Sequence, residues 1–138
     1  MRGSENAATL VGRILMCVIF VLGGWGKLMG PAATQAMFAS HSLPLPEAAW
    51  VLAVVVELGG GLALLFGLFT RPVGLVLAIW SVATALIAHT NFADRMQEIN
   101  FLKNMAMAGG FLYVAAFGAG AWSLDAWRSG RRGAVAAE

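Results

Sequence analysis

Long runs of apolar residues, separated by short polar or helix-breaking segments, dominate the chain. A helix needs roughly 20 mainly apolar residues to cross the hydrocarbon core of a bilayer. Four runs reach this length, and they predict an all-α membrane protein built as a four-transmembrane-helix bundle. The predicted spans lie at about residues 8–28, 48–69, 72–90 and 104–124. Residues 1–128 then form a single transmembrane domain, and residues 129–138 form a flexible basic tail.

The segments between these spans predict how the helices are connected. Thr70-Arg71-Pro72 is all that separates the second and third spans, so these two helices should be antiparallel neighbours. Residues 29–47 contain the breaker Gly30-Pro31 and a helix-capable stretch, which predicts a short amphipathic helix on the membrane surface. Residues 91–103 are polar and should form a cap between the third and fourth spans.

The composition excludes several classes of protein. Apolar residues make up 59% of the chain and charged residues 12%, and the mean hydropathy is +0.77. A soluble domain is usually about 45–50% apolar and about 25% charged. Disorder, a disulfide scaffold and an ordinary soluble enzyme are therefore excluded. The single cysteine, Cys17, cannot form an internal disulfide, and no Cys-x-x-Cys pair offers dithiol chemistry.

The basic residues indicate orientation in a bilayer and not a nucleic-acid partner. The net charge is +2, and the nine Lys and Arg residues lie mostly at the ends of apolar runs, as membrane-flanking charges do. With four spans, one side of the membrane carries Arg2, Arg13, Arg71, Arg128, Arg131 and Arg132. The other side carries Lys27, Arg95 and Lys103. The positive-inside rule therefore predicts that both termini are cytoplasmic.

Glycine runs occur inside the predicted helices, where glycine would cost stability in water. Within a bilayer, small residues allow helix backbones to approach closely and to pack by dispersion. We interpret the runs as packing faces and not as phosphate-binding loops, because no strand precedes them. The runs are Gly23-Gly24 with Gly26, Gly59-Gly60-Gly61 and Gly109-Gly110.

Glu57 is the residue that most strongly indicates function. It lies about nine residues into the second span, about 13 Å below the outer surface, and so near the bilayer midplane. A lone carboxylate there costs several kcal/mol unless it is protonated, paired or hydrated. Lys27 and Arg13 share one face of the first span, about 9 Å above and about 12 Å below Glu57. Either can pair with it, with Lys27 slightly favoured, and Arg13 is also a candidate ligand-binding residue or a snorkelling cation.

Four polar residues are expected to gather near the outer surface. Lys27 and His89 end the first and third spans on that side, and Lys103 and Asn104 begin the fourth. We interpret them as the rim of a ligand-binding pocket in which Glu57 is the deeper, titratable, catalytic group. A quinone or another planar lipid-soluble ligand with polar edges fits such a pocket. The alternatives are that the cations only contact lipid headgroups and that Glu57 locks the bundle through a salt bridge.

Other catalytic chemistries find little support in the sequence. His41 and His89 are the only histidines, they lie in different segments, and no HxxH or ExxH spacing is present, so neither a metal nor a haem site is predicted. No Cys-His pair is expected either, because Cys17 belongs to the cytoplasmic half of the bundle and lies far from His89.

Several segments together resemble the DoxX family of small four-helix bacterial inner-membrane proteins. They are GRILMCVIFVLGGWGKL, VVELGGGLALLFGLFTRP, FLKNMAMAGGFLYVAAFG and WSLDAWR. The resemblance implies a multi-pass protein of the bacterial inner membrane. Some members of the family are subunits of a thiosulfate:quinone oxidoreductase, and others are membrane partners in oxidative-stress complexes. The positions that match the family's recurring polar residues are Arg13, Lys27, Glu57, His89, Lys103 and Asn104.

These observations favour one function and leave others open. The leading hypothesis is an oxidoreductase-associated membrane subunit that interacts with a quinone, in which Glu57 exchanges a proton. A scaffold subunit that anchors a larger complex through its glycine-lined faces is the alternative, and a small transporter is a weaker one. Besides the bilayer, the expected partners are other protein subunits or further copies of the chain, and no nucleic acid. Whether the chain is itself an enzyme is left open.

Overall fold

The computed structural model describes the backbone of residues 2–135 and the side chains of residues 3–130. All regular secondary structure within this part of the chain is helical, which confirms the all-α prediction. The elements are α1 (Arg2–Met29), α2 (Pro31–Ser40), α3 (Pro46–Val54), a π-helical turn (Val55–Gly59), α4 (Gly60–Phe66), α5 (Thr70–Ala88), α6 (Arg95–Phe117) and α7 (Leu124–Val135).

Among the described residues, three stretches of helix are long and apolar enough to cross a membrane, and they match the first three predicted spans. They are Gly3–Met29, Pro46–Phe66 and Thr70–Ala88. At 1.5 Å per residue, α6 is also about 35 Å long, which is sufficient to cross a hydrocarbon core of about 30 Å. Its first turns carry charged side chains, however, so α6 as a fourth span and the cytoplasmic position of both termini stay predictions.

The helix in the fourth predicted region has different boundaries from those expected at 104–124. It begins earlier, at Arg95, because the Asp94 side chain accepts a hydrogen bond from the Met96 backbone N–H at 2.9 Å and caps the helix. It ends at Phe117, because Gly118 takes a left-handed φ of 81°. The polar cap predicted at 91–103 is therefore largely the first part of α6.

Residues 129–138 were predicted to form a flexible tail, but the first part of this region is helical in the structure. Helix α7 (Leu124–Val135) includes residues 129–135. Residues 136–138 lie outside the part of the chain that the structure describes. A helix, α2, is present between the first two spans, but its apolar side chains are not gathered on one face, so the predicted amphipathic character is not found.

The core lies where α1, α4, α5 and α6 meet. Phe20 of α1 and Phe111 of α6 contact edge to face, with ring centroids 5.1 Å apart. Leu64 of α4 and Leu77 of α5 are fully buried beside them. This cluster occupies the middle of the bundle, and it fixes the helices whose opposite ends hold the polar residues described below.

Close backbone contacts confirm that some of the predicted glycine faces pack within the chain. A Cβ atom at Gly24 would lie 2.5 Å from the backbone nitrogen of Leu58, so α1 and the π-helical turn approach each other directly. A Cβ atom at Gly61 would lie 3.1 Å from the backbone nitrogen of Val21. Small residues at both positions therefore bring the first and second spans together, as in other membrane helix pairs.

Asp125 joins α7 to the start of α5 at one end of the bundle, which we call the hairpin end (residues 67–70 and 123–128). One carboxylate oxygen accepts the backbone N–H of Phe69 at 2.9 Å. The other accepts the backbone N–H of Thr70 at 2.8 Å and its hydroxyl at 2.7 Å. The Asp125 N–H in turn donates to the Gly67 carbonyl at 2.9 Å. Asp125 therefore caps α5 from a distant part of the chain.

The Asp125→Asn substitution should lower stability at neutral pH by about 1–3 kcal/mol, because an amide nitrogen would face donors. Burial alone would raise the pKa of the Asp125 carboxyl, but the hydrogen bonds from Thr70 and Phe69 and the charge of Arg128 hold it below its usual range. The contribution of Asp125 is therefore complete above about pH 4 and is lost as the pH falls through the lowered pKa of the folded protein.

Thermal unfolding in detergent at pH 7 and at about pH 3 measures this effect. We expect the gap between the wild type and Asp125→Asn to shrink at the lower pH. The Glu47→Gln variant, which changes an exposed carboxylate in the same way, serves as the control. An equal gap at both pH values would argue against the capping role.

Candidate functional site

Glu57 occupies the middle of the second span, in the π-helical turn (Val55–Gly59). The wider turn interrupts the regular α-helical hydrogen bonds, and such π-bulges are frequent at functional sites. Only 8% of Glu57 is exposed, so its carboxylate depends on partners within the protein.

Lys27 is the ion-pair partner of Glu57. Its Nζ donates to Glu57 Oε2 at 2.7 Å, and the side chains of Lys27 and Glu57 are 23% and 10% exposed. Trp80 Nε1 donates to the other carboxylate oxygen, Oε1, at 3.1 Å. Between them, α1 and α5 supply one donor to each oxygen. The structure therefore assigns to Lys27 the pairing that the sequence left open between Lys27 and Arg13.

Neighbouring residues hold this ion pair in place. Trp50 Nε1 donates to the Lys27 backbone carbonyl at 2.8 Å and so ties the end of α1 to α3. Gly23, one turn before Lys27, leaves room for the carboxylate, because a Cβ atom there would lie 3.1 Å from Glu57 Oε2. The pair is thus positioned from three helices and not only by mutual attraction.

A cavity of about 310 Å³, which we call the α6 cavity, opens beside the ion pair between α1, α5 and α6. It brings together five of the six residues that the sequence singled out. Its lining includes Lys27, Glu57, His89, Lys103 and Asn104, with Phe20, Trp80, Thr84, Asn100 and Met107. Cationic, amide and carboxylate groups therefore face a single space whose remaining wall is apolar.

A second cavity of about 520 Å³, which we call the α2 cavity, lies on the other side of the same polar wall. Lys27, Glu57, Trp80, Thr84 and His89 line both cavities. The rest of the α2 cavity is mainly apolar and includes Met37, Phe38, Leu43, Leu52 and Ile87. The ion pair therefore separates a mixed polar space from a larger apolar one.

The other polar groups of the α6 cavity differ in how many hydrogen bonds they already make within the protein. His89 Nδ1 lies 2.7 Å from Gln97 Oε1 and donates to it, which leaves Nε2 as an acceptor in the neutral ring. Asn104 Nδ2 donates to the Asn100 carbonyl at 2.9 Å, so its amide oxygen is available. Lys103 makes no hydrogen bond or ion pair with any side chain or backbone group of residues 3–130.

Arg13 is the one candidate that the structure does not bring to this site. It is 2% exposed and lies at the hairpin end, where its Nη2 donates to the Trp122 carbonyl at 2.8 Å. Its Nε and Nη1 are buried without a hydrogen-bond partner among the described residues. Its guanidinium packs against Gly67, where a Cβ atom would collide with Nη1. Arg13 is therefore a buried packing residue here and does not snorkel to headgroups.

Sequence reasoning missed Trp80 and Gln97. A signal for Trp80 was available, because it is a tryptophan in the middle of a span and not at its end, and a buried indole N–H requires an acceptor. No comparable signal identified Gln97, since its role depends on the relative position of the ends of α5 and α6.

Comparison with known proteins identifies the family of the chain. A family model described as DoxX matches residues 8–90. The chain belongs to the DoxX family. The inner membrane protein YqjF of Escherichia coli (strain K12) is 41% identical over 128 residues, which cover 91% of this chain and 95% of YqjF. The inner membrane protein YphA of the same organism is 38% identical over 121 residues, covering 84% and 86%.

A third relative has a name that refers to an activity. "Putative oxidoreductase CatD" of Bacillus subtilis (strain 168) is 38% identical over 79 residues, which cover 57% of this chain and 58% of that protein. No solved structure matches the chain significantly. The membrane-spanning helices and the two inner membrane relatives together identify the chain as an integral protein of the bacterial inner membrane.

Proposed function

We propose that this DoxX-family protein binds a quinone, or a similar planar lipophilic ligand with polar edges, in the α6 cavity. It would act as a membrane subunit of an oxidoreductase system. The observation that carries the proposal is the buried Lys27–Glu57 ion pair, which lies on the wall of a cavity that also gathers His89, Lys103 and Asn104. An intramembrane ionisable residue in such surroundings is a functional candidate by default.

The character of the two cavities favours a lipophilic ligand over a soluble one. Small-molecule sites usually measure about 300–1,000 Å³ and combine an apolar lining with a few convergent polar groups. The α6 cavity fits this description at about 310 Å³, and the apolar α2 cavity adds about 520 Å³ beyond the same wall. A ring with polar edges suits the α6 cavity, and an apolar substituent of the same ligand suits the α2 cavity.

Each polar residue then has a definable role. Lys103 has no partner among residues 3–130, so it donates to a ligand carbonyl without first breaking an interaction. Lys27 holds the Glu57 carboxylate until a ligand competes for its Nζ, and Glu57 then exchanges a proton at its carboxylate oxygen. The amide oxygen of Asn104 accepts from a hydroxyl of the reduced ligand, and His89 Nε2 takes a proton from water and passes it to a ligand oxygen.

A quinone supplies the electron-accepting chemistry, because its reduction takes up two electrons and two protons. In the proposal, this chain binds and orients the ring and passes protons to it, and a partner oxidoreductase provides the electrons. The oxidoreductase name of the relative CatD supports this assignment to a redox system.

Lys103→Gln should weaken the binding of menadione to the detergent-purified protein by about tenfold, because a hydrogen bond from a charged donor is lost. The fold should not change, because Lys103 has no structural partner among residues 3–130. Dissociation constants are measured by quenching of tryptophan fluorescence, since Trp80 lies on the cavity wall. Arg95→Gln, which removes a cation outside both cavities, is the matched control.

The ligand 2-methylnaphthalene, which has the ring but not the carbonyls of menadione, is the second control. We expect Lys103→Gln to leave its binding unchanged. Absence of menadione binding to the wild type, or equal loss in Lys103→Gln and Arg95→Gln, would refute the proposal and favour the scaffold alternative. That alternative would use Gly26, Gly59 and Gly109, at which a Cβ atom would meet nothing within 4 Å.

A further inference from the structure

A third cavity, of about 490 Å³, lies at the hairpin end and shares no lining residue with the α6 or α2 cavity. It is bounded by the start of α5, the end of α6 and the start of α7. Its lining includes Phe69, Arg71, Phe117, Ser123, Asp125 and Arg128. Nothing in the function proposed above uses this space.

Among the described residues, two arginines give the cavity its positive charge. Arg71 is exposed and makes no hydrogen bond or ion pair with residues 3–130. The Arg128 guanidinium lies over the Phe69 ring, 4.9 Å from its centroid, which holds the cation at the cavity wall. Arginine binds phosphate through a planar fork of N–H donors, so two guanidinium groups on one cavity favour a phosphate group.

Asp125 is the one carboxylate among the described residues of the lining, and its two oxygens already accept three hydrogen bonds. Its oxygens accept from the backbone N–H groups of Phe69 and Thr70 and from the Thr70 hydroxyl. Its charge is thus directed at the start of α5, where the helix dipole is positive. Neither Arg71 nor Arg128 lies within ion-pair distance of it, so both cations keep their donors for a ligand.

The position of the cavity is that of lipid headgroups. It lies at the ends of the spans Pro46–Phe66 and Thr70–Ala88, where a membrane helix reaches the interface. Phe69 and Phe117 are 55% and 76% exposed at its edge, which offers apolar surface beside the cations. Trp127, on α7 next to the cavity, is 58% exposed. Exposed tryptophans of this kind are enriched at membrane interfaces.

We propose that this cavity binds the phosphate of an anionic phospholipid between Arg71 and Arg128, with Phe69 and Phe117 against the start of its acyl chains. The apolar edge distinguishes this ligand from free phosphate, which would not use it. The site ties α7 to the membrane surface at the hairpin end. The proposal does not depend on the ligand proposed for the α6 cavity, because the two cavities share no lining residue.

Native mass spectrometry of the full chain with added phosphatidylglycerol tests the proposal. Phosphatidylcholine with the same acyl chains is the lipid control. Each arginine near an anionic headgroup contributes about 1 kcal/mol, so Arg71→Gln and Arg128→Gln should each weaken phosphatidylglycerol binding about fivefold. The double variant should weaken it about 30-fold. The Arg95→Gln variant removes a cation at the other end of the bundle and should bind like the wild type.

The outcomes separate the possible sources of the phosphate. Arg71→Gln is the most informative variant, because Arg71 has no partner in residues 3–130 and its replacement should therefore leave the fold unchanged. If inorganic phosphate at millimolar concentration bound to the protein as strongly as phosphatidylglycerol does, that result would overturn a lipid site. Equal binding of both lipids, or equal losses in Arg71→Gln and Arg95→Gln, would also overturn it.

Discussion

Replacing Lys27 by Met is expected to destabilise the protein by about 3–5 kcal/mol, because it leaves the buried Glu57 carboxylate without its counter-charge. Among the described residues, the remaining donor to that carboxylate is Trp80 Nε1, at 3.1 Å, and a neutral indole cannot balance a charge near the middle of a membrane span. The free energy of unfolding is measured by titration with sodium dodecyl sulfate in mixed micelles.

The double variant Lys27→Met/Glu57→Gln should recover most of that loss. Removing both charges leaves no unpaired ion, and replacing a buried ion pair by neutral groups is often close to neutral in stability. The exposed Arg95–Glu98 pair, whose atoms are 2.8 Å apart against 2.7 Å for Lys27–Glu57, provides the matched control. Its single variants, Arg95→Met and Glu98→Gln, should each cost no more than about 1 kcal/mol.

The same variants distinguish a structural ion pair from a functional one. If Lys27–Glu57 only locks the bundle, the recovered double variant should bind menadione as the wild type does. The proposed function requires instead that the double variant be folded and bind at least about tenfold more weakly. A double variant as unstable as Lys27→Met alone would mean that the pair contributes through geometry and not through charge balance.

The elements that depend on local sequence could be predicted. Apolar runs of sufficient length located the spans Gly3–Met29, Pro46–Phe66 and Thr70–Ala88, because hydropathy and helix length are properties of continuous segments. Part of the glycine run of the second span was interpreted correctly as a packing face, because Gly60 packs against Leu77 and Gly61 against α1, whereas Gly59 has no neighbour within 4 Å. Depth also made Lys27 one of two candidate partners for Glu57, slightly favoured over Arg13, and the structure shows that pair.

The remaining features depend on how helices are rotated and on special backbone conformations. Depth alone did not exclude Arg13, whose face of α1 turns toward Gly67 and Trp122 and not toward the α6 cavity. The boundaries of α6 depend on the Asp94 cap and on the φ of Gly118, which hydropathy does not report. Nor does any periodicity in the second span predict the π-helical turn that holds Glu57.

Gly24→Ala should be among the most damaging of the conservative substitutions in α1. Its Cβ atom would lie 2.5 Å from the backbone nitrogen and 2.8 Å from the Cα of Leu58, and backbone cannot move aside as a flexible side chain can. We expect a loss of about 1–3 kcal/mol in stability, as for other overpacked interfaces. Because Lys27 lies one turn further along α1, the shift should also lengthen its bond to Glu57 and weaken ligand binding.

Gly26→Ala is the matched control, since a Cβ atom at that position meets nothing within 4 Å. It lies in the same helix and adds the same methyl group, and alanine is favoured over glycine in a helix by about 1 kcal/mol. This variant should therefore be as stable as the wild type or more stable in thermal unfolding. Equal behaviour of Gly24→Ala and Gly26→Ala would show that α1 does not rest on the π-helical turn. The positioning of Lys27 against Glu57 would then have to come from Trp50 and Trp80 alone.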